Sequence, residues 1–444
     1  MDFTGQDVLV MGLGLSGRSA ARFCAERGAR VVAVDERPRD AIADVETLPS
    51  EIECRFGETF PELEAYDLVV PSPGIPASRW ESSARRAWGD IELCFRALPI
   101  PIIAVTGTNG KSTVVRLIEA MARSAGLRAR AAGNLGVPAL DLVGQPLDLA
   151  ILEVSSFQLE SVDAFRPRVA ILLNITPDHL DRHGDLDGYL AAKAKIFARQ
   201  GAGDAAILNG DDPHLHGLGL PDDVERLEFR RHHPVAAGAW MDGRNAIVRR
   251  AGAQHATHVG ELPLQIKGQD ENLLAALLAL AALDLDVDAA TRALASFEAL
   301  PHRFERVAEI EGVAYIDDSK ATNPGAAIRA LEVEASPIVW IAGGRHKGGD
   351  LEVLRTAATG RVRRALLIGE AAADFERALS PSIECERVGD LAKAVERAKQ
   401  IAEPGDIVLL APACASFDQF RSFEDRGRQF SAAVAALGTS EARR

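Results

Sequence analysis

The sequence predicts an α/β protein of about three domains, and three observations carry that prediction. Strand and helix signals alternate along almost the whole chain, a pattern that favours mainly parallel sheets over bundles or sandwiches. The 444 residues, at ~150 residues per domain, are enough for about three cores. Twice, a glycine-rich loop joins a strong apolar strand to an amphipathic helix.

The first block opens with the strand 7–11, turns through glycines and continues as a helix with Ala20, Phe23 and Cys24 on one face. Gly28 stops that helix, and residues 31–34 read as the next parallel strand. A third apolar run at 68–70 meets Pro71-Ser72-Pro73-Gly74, where prolines force a loop. Leu98-Pro99-Ile100-Pro101 reads as a linker, which bounds a first domain at 1–98. The second block, 99–298, starts with strand 102–105, a glycine loop, and a helix carrying Val114, Leu117, Ile118 and Met121 on one face. Strands at 149–154, 169–174 and 205–208 follow. From 210 to 265 the pattern weakens into short strands and loops, ahead of an alanine- and leucine-rich helix after Asn272. The third block, 299–444, carries strands at 313–316, 338–342, 365–368 and 407–410, and the chain ends in a frayed Arg-Arg tail. The linkers near 100 and 300 are the expected hinges.

Composition narrows the function classes. A 47% hydrophobic and 26% charged chain with no long apolar run describes a soluble globular protein without membrane insertion. The N-terminus lacks the basic and apolar regions of a targeting peptide, so a cytoplasmic location is expected. The net charge of −14, from 64 acidic and 50 basic residues, argues against a nucleic-acid partner. Five scattered cysteines, Cys24, Cys54, Cys94, Cys385 and Cys414, without metal spacing, read as reduced core thiols.

Gly12-Leu13-Gly14-Leu15-Ser16-Gly17 fits GxGxxG between a strand and a helix, with Asp35 at the end of the next strand. Glycines let the backbone approach a pyrophosphate, and the helix N-terminus favours its charge. These residues alone leave a nicotinamide or flavin cofactor, another nucleotide diphosphate, and a structural turn all open. Val105-Thr106-Gly107-Thr108-Asn109-Gly110-Lys111-Ser112-Thr113 reads as a phosphate loop for ATP, although Val105 stands where the common pattern has its first glycine. Glu153, at a strand end, suits Mg²⁺, but in isolation reads as a surface carboxylate. His179 and His183 stand four residues apart as zinc ligands can, yet HExxH is absent and Pro177 precedes them. Lys193, read on its own, is a solvated helix residue.

The ordered segments TGTNGKST, GNLG, EVSSFQLE, NITPDHLDRHG, YLAAKAKIF, LPHRFERV, DDSKATNPGAA, GGRHKGGD and PACASFDQFRSFEDRG resemble the Mur ligases, most closely their D-glutamate-adding branch. The resemblance implies a three-domain architecture: a Rossmann-like N-terminal domain, a central P-loop ATPase-like domain and a C-terminal Rossmann-like domain. It implies ATP-dependent joining of D-glutamate to UDP-N-acetylmuramoyl-L-alanine through an acyl phosphate, by a monomer acting on small molecules in peptidoglycan precursor synthesis. No redox cofactor is then needed.

By the same resemblance, the nucleotide-sugar substrate would meet Leu15, Ser16, Asp35, Glu36, Arg37, Gly74, Asn134, Ser155 and Gln158. ATP would meet Gly107, Thr108, Asn109, Gly110, Lys111, Ser112, Thr113, Asn272, Arg303, Asp318 and Lys320. D-Glutamate would meet Lys347, Thr322, Ser416 and Phe423. Lys111, Glu153, His179 and Lys193 would carry the chemistry. Two Mg²⁺ ions would be held by Ser112, Glu153, His179 and a carbamylated Lys193, since a bare ammonium has no lone pair to donate. Two departures stand out. The family pattern GxHNxxN is here the shorter Gly268-Gln269-Asp270-Glu271-Asn272, with Asn272 left to keep the adenine contact, and Arg345 and His346 sit where members vary.

Overall fold

In the computed structural model, residues 1–259, 269–298, 300–333, 337–348 and 350–439 are described. Gly268, the boundary residue Ala299, Gly349 of GGRHKGGD and the tail residues Arg443 and Arg444 lie outside them. The chain packs into two compact units. The first takes the described residues up to 175, from 181 to 259 and from 270 to 297; the second takes 176–180, Gln269 and those from 298 onward.

The first unit begins with β1 (Asp7–Met11), α1 (Leu15–Ala25), β2 (Arg30–Asp35), β3 (Glu53–Phe56), β4 (Leu68–Pro71) and α2 (Asp90–Ala97). Its strands form a parallel sheet in the order β3-β2-β1-β4. Val8, Leu9, Val10 and Met11 are all buried, because β1 is covered on both faces, as a parallel strand must be. Pro71 is tolerated since β4 is an edge strand and lies at its end.

The chain continues through β5 (Ile102–Thr106), α3 (Lys111–Ser124), β6 (Ala129–Gly133), β7 (Leu149–Glu153), α4 (Ser156–Glu160), β8 (Val169–Leu172), α5 (Leu180–His183), α6 (Leu186–Ala194) and β9 (Ala205–Asn209). The weakly patterned stretch then resolves into β10 (Glu225–Arg230), β11 (Gly238–Asp242), β12 (Asn245–Arg250) and β13 (Ala253–His258), followed by α7 (Asp270–Ala281) and α8 (Val287–Thr291). A nine-stranded sheet results, in the order β13-β12-β11-β10-β9-β8-β5-β7-β6. It is parallel except where β11, β12 and β13 form an antiparallel meander. Every residue of α7 from Asn272 to Leu280 is buried, as expected for a helix apolar on all sides, and it packs on α3 and the β9–β12 strands.

The second unit contains β14 (Glu305–Ile310), β15 (Val313–Asp317), α9 (Pro324–Glu332), β16 (Ile338–Gly343), α10 (Glu352–Ala358), β17 (Val362–Ile368), α11 (Ala372–Leu379), β18 (Cys385–Gly389), α12 (Leu391–Ile401), β19 (Ile407–Leu410) and α13 (Phe423–Thr439). Its sheet runs β14-β15-β19-β16-β17-β18 and is parallel apart from the β14–β15 hairpin. The strand order reverses direction at β1, β5 and β19. Such switch points open crevices beyond the carboxyl ends of the strands, where open α/β sheets bind ligands. All five cysteines are free thiols; Cys24, Cys94 and Cys414 are buried. Among the described residues no helix is long and apolar enough to cross a membrane.

Candidate active site

At the end of β1 the chain turns through Gly12 (φ +83°), whose N–H donates to Val34 O and whose carbonyl accepts from Ser72 Oγ at 2.8 Å. The helix that follows can approach only because residue 17 lacks a side chain: a Cβ there would stand 1.9 Å from Gly12 O. No side chain caps α1 and no acid sits in its first turn, so its N-terminal dipole is left for an anion. Beside it opens a cavity of ≈610 Å³. Leu15, Ser16, Asp35, Glu36, Arg37, Gly74, Asn134 and Gln158 line it. Ser155 stands behind, capping α4, where its N–H donates to Gln158 Oε1 at 3.0 Å.

Asp35 bears on the dinucleotide reading. Its carboxylate accepts Leu13 N–H at 2.7 Å and the Arg37 guanidinium at 2.9 and 2.8 Å, besides Arg37 N–H. Burial pushes the carboxyl up, but these donors outweigh it and hold it below the usual range. These donors fix the acid in the cavity wall where the dinucleotide pattern expects it, without choosing between one ribonucleotide and another. Sequence reasoning passed over Asp90. Fully buried, it accepts from Gln158 Nε2 at 3.0 Å and from the Ser16 hydroxyl, so it supports two cavity walls from behind. Its position in Gly89-Asp90-Ile91-Glu92 carries no signal of that role.

The second glycine loop follows β5. Thr108 N–H donates to Asn174 O and Asn109 N–H to Asn174 Oδ1, both at 2.9 Å, so the end of β8 braces the loop. Gly107 (φ +145°) and Gly110 (φ +86°) adopt backbone that L side chains avoid; a Cβ on Gly110 would also lie 2.4 Å from Asn272 Oδ1. Asn272, at the start of α7, thus closes over the loop. Lys111 Nζ donates to Gly107 O at 2.8 Å and Thr108 O at 2.9 Å. Ser112 and Thr113 are buried in the first turn of α3.

Burial overturns the isolated readings of Glu153 and Lys193. Glu153 is not a surface carboxylate: it is 2% exposed and accepts Ser112 Oγ at 2.5 Å and Asn134 Nδ2 at 2.8 Å. Lys193 is not solvated either. Only 1% exposed, it donates to Gly107 O at 3.0 Å and lies 4.5 Å from the Tyr189 ring centre. Two ammonium groups thus share one loop carbonyl, an arrangement suited to a polyanion.

Residues 6–89 match the Mur ligase MurD-like N-terminal domain, 105–282 the Mur ligase middle domain and 302–414 the Mur ligase glutamate ligase domain. A Pelotomaculum thermopropionicum protein named UDP-N-acetylmuramoylalanine–D-glutamate ligase is 40% identical over 98% of this chain and 99% of its own length. One of the same name from Acidobacterium capsulatum is 40% identical over 98% of this chain and 97% of its own. The chain belongs to the Mur ligase family. Among solved structures, MurF ligase of Thermotoga maritima in complex with ADP aligns with a TM-score of 0.63 and 18% identity, covering 98% of this chain and 96% of that one. MurC of the same organism gives 0.61 and 17%, over 97% and 100%. At these identities the likeness is one of fold.

In the second unit of this Mur ligase, the remaining residues gather at the carboxyl ends of β15, β16 and β19. Lys320 Nζ sits 3.9 Å from the Phe423 ring centre. Asp318 keeps part of its surface open, yet burial by the surrounding protein lifts its carboxyl to about 7, against the pull of Arg303. Thr322 and Lys347 line one small cleft, and Lys347 Nζ lies 3.5 Å from Asp178 Oδ1. Ser416 is buried at 2% exposure. Arg426, fully buried, donates to Ser319 Oγ and O and to Cys414 O, tying together the segments that carry Lys320, Ser416 and Phe423. The two spaced histidines part company. His183 meets Ser156 Oγ at 3.0 Å in the first unit, whereas His179 (φ +54°) belongs to the second. Among the described residues the three-ligand metal-like group is His302, Glu305 and Asp317. There the His302 Nδ1–H···Asp317 bond of 2.7 Å already satisfies the pair.

Proposed function

We propose that the chain is the ATP-dependent ligase that joins D-glutamate to UDP-N-acetylmuramoyl-L-alanine, releasing ADP and phosphate. Full-length relatives that share about two residues in five and carry that name are the observation behind the reading. The phosphate loop, with two lysines on one carbonyl, supplies the chemistry. We assign the nucleotide sugar to domain 1–98, ATP to 99–298 and the amino acid to 299–444, with the residues named for each above.

A carboxylate is a poor electrophile: its charge repels nucleophiles and its oxygen leaves badly. Transfer of the ATP γ-phosphoryl group to the alanyl carboxylate makes an acyl phosphate with a good leaving group. The neutral amine of D-glutamate adds to the carbonyl carbon, and the tetrahedral intermediate loses a proton to solvent as it collapses to the amide and inorganic phosphate. Lys111 binds the β and γ oxygens and offsets charge gathering on them during transfer, where positioning and electrostatics dominate catalysis. His179 orients the alanyl end. Lys347 meets the side-chain carboxylate of D-glutamate, Thr322 and Ser416 offer hydroxyls, and Phe423 shapes the pocket.

The donor set fits Mg²⁺ in part. Ser112 and Glu153 offer hard oxygen atoms from a buried position, as that ion prefers. The Lys193 ammonium does not fit as it stands. Addition of its neutral amine to CO₂ with loss of a proton would give a carbamate whose oxygens do, so we assign Ser112 and Glu153, and with them His179 and carbamylated Lys193, to two ions. Mg²⁺, when bound, supplies positive charge to the phosphates. Incubation with ATP, UDP-N-acetylmuramoyl-L-alanine and either D- or L-glutamate tests the reading. ADP and the amide product should form with the D isomer; no ADP and no amide would sink it.

A further inference from the structure

We propose that Arg182 is a positioning residue for nucleotide-sugar binding, a strut that holds one wall of the ≈610 Å³ cavity against another. The inference rests on the assignment of that cavity to the UDP substrate and assigns a residue of DHLDRHG that the mechanism leaves unused. The Arg182 guanidinium meets Glu160, at the end of α4, through Nε at 3.0 Å and Nη2 at 2.6 Å. It also donates through Nη2 to Ile75 O at 3.0 Å in the loop after β4, with longer contacts to Gly74 O at 3.4 Å and Pro73 O at 3.5 Å. Its face lies 4.9 Å from the Phe157 ring centre. Arg182 and Glu160 side chains are only 14% and 11% exposed.

The charge of Arg182 is neutralised by Glu160 in a two-point pair, so it is poorly placed to receive a phosphate. Its effect is geometric. The loop Ser72-Pro73-Gly74-Ile75 forms one wall of the cavity, and Gln158, two residues before Glu160, forms part of another. Drawing the loop carbonyls toward one cation turns their negative ends away from an anionic ligand and sets the distance between β4 and α4. A lysine cannot replace this fork, because its donors radiate from one atom on a flexible stem. The phosphate loop is held by other partners, Lys111 by Gly107 O and Thr108 O and Glu153 by Ser112 and Asn134, so phosphoryl transfer should be spared.

Arg182→Lys should therefore raise KM for UDP-N-acetylmuramoyl-L-alanine about tenfold, with kcat and the KM values for ATP and D-glutamate within about twofold of wild type. Calorimetry with UDP alone should show the same weakening. A thermal midpoint near that of wild type excludes misfolding. Should the lysine variant fail to fold, Glu160→Gln leaves the carbonyl contacts in place and should raise the same KM about threefold. An unchanged KM and UDP affinity, or a fall in kcat with every KM unchanged, would overturn the proposal. Failure of the ligase reading looks different: wild-type protein would bind UDP in an Arg182-dependent way yet release no ADP.

Discussion

The two glycine loops of the first unit share one design, a strand, a glycine turn and a helix, and differ in what stands behind them. Behind the first, Asp35 is held by Arg37 and Leu13 N–H, and Ser16 leans on Asp90. The basic group at the loop is Arg18, whose guanidinium donates to Leu13 O at 3.0 Å. Behind the second stand two lysines on one carbonyl, a buried carboxylate and a serine hydroxyl bonded to it. The first loop offers backbone, a helix end and an open cavity, which suffice to hold a diphosphate. The second adds concentrated positive charge and buried oxygen donors, which phosphoryl transfer calls on. On the proposed reading each glycine pattern marks where a phosphate would sit, and the side chains behind it decide whether that phosphate would react.

Substitutions can separate holding from reacting. Lys111→Ala should have the largest effect, lowering turnover by at least about a thousandfold, while UDP binding measured by calorimetry stays as in wild type. Loss of UDP affinity in this variant would erase the distinction between the loops. Glu153→Gln removes the buried charge and keeps the shape. The Mg²⁺ concentration for half-maximal rate should rise about tenfold, and a metal titration reads it directly. Gly17→Ala attacks the other loop by crowding Gly12 O. It should cost about 1–3 kcal/mol in denaturant unfolding and raise KM for the nucleotide sugar, with KM for ATP unmoved.

The last comparison, read in stability alone, concerns a third strand end. Asp318 titrates near 7 when folded because burial disfavours its charge, against about 3.9 when unfolded. The native state therefore binds the extra proton between these values, so its contribution to stability is whole below pH ~4 and is lost as pH rises through ~7. Asp318→Asn cannot ionise, and its thermal midpoint should fall less over that window than that of wild type. Parallel melting curves at pH 4 and 7.5 make the comparison.

Much of this fold was legible because its inner strands are buried on both faces and so read as unbroken apolar runs. The strands at 7–11 and 407–410 coincide with β1 and β19 to the residue. Of the strands the sequence does not place, β3, β6, β14 and β18 are edge strands, while β10 to β13 lie in the stretch whose pattern fixes no single strand. Glu-Cys-Arg-Phe in β3 and Cys-Glu-Arg-Val-Gly in β18 are half exposed, so neither continuous hydrophobicity nor clear alternation marks them. Ala129-Arg130-Ala131-Ala132-Gly133 in β6 lacks the β-branched residues that signal a strand. In the site, the glycine loops and Lys111 announce their own chemistry. Glu153 and Lys193 do not, since burial is a property of the assembled sheet; only their likeness to family motifs singled them out. Asp90 and Arg182 act through partners 68 and 22 residues away, a relation that no local pattern encodes.

The buried cysteines bear on how this ligase can be inhibited. Burial pushes the Cys24 and Cys414 thiols up to about 12 and that of Cys94 higher still, so at neutral pH almost none of each is thiolate. Cys385 rises to about 11 and Cys54 also rises, both by burial. Thiol-directed electrophiles would thus find slow targets throughout the chain.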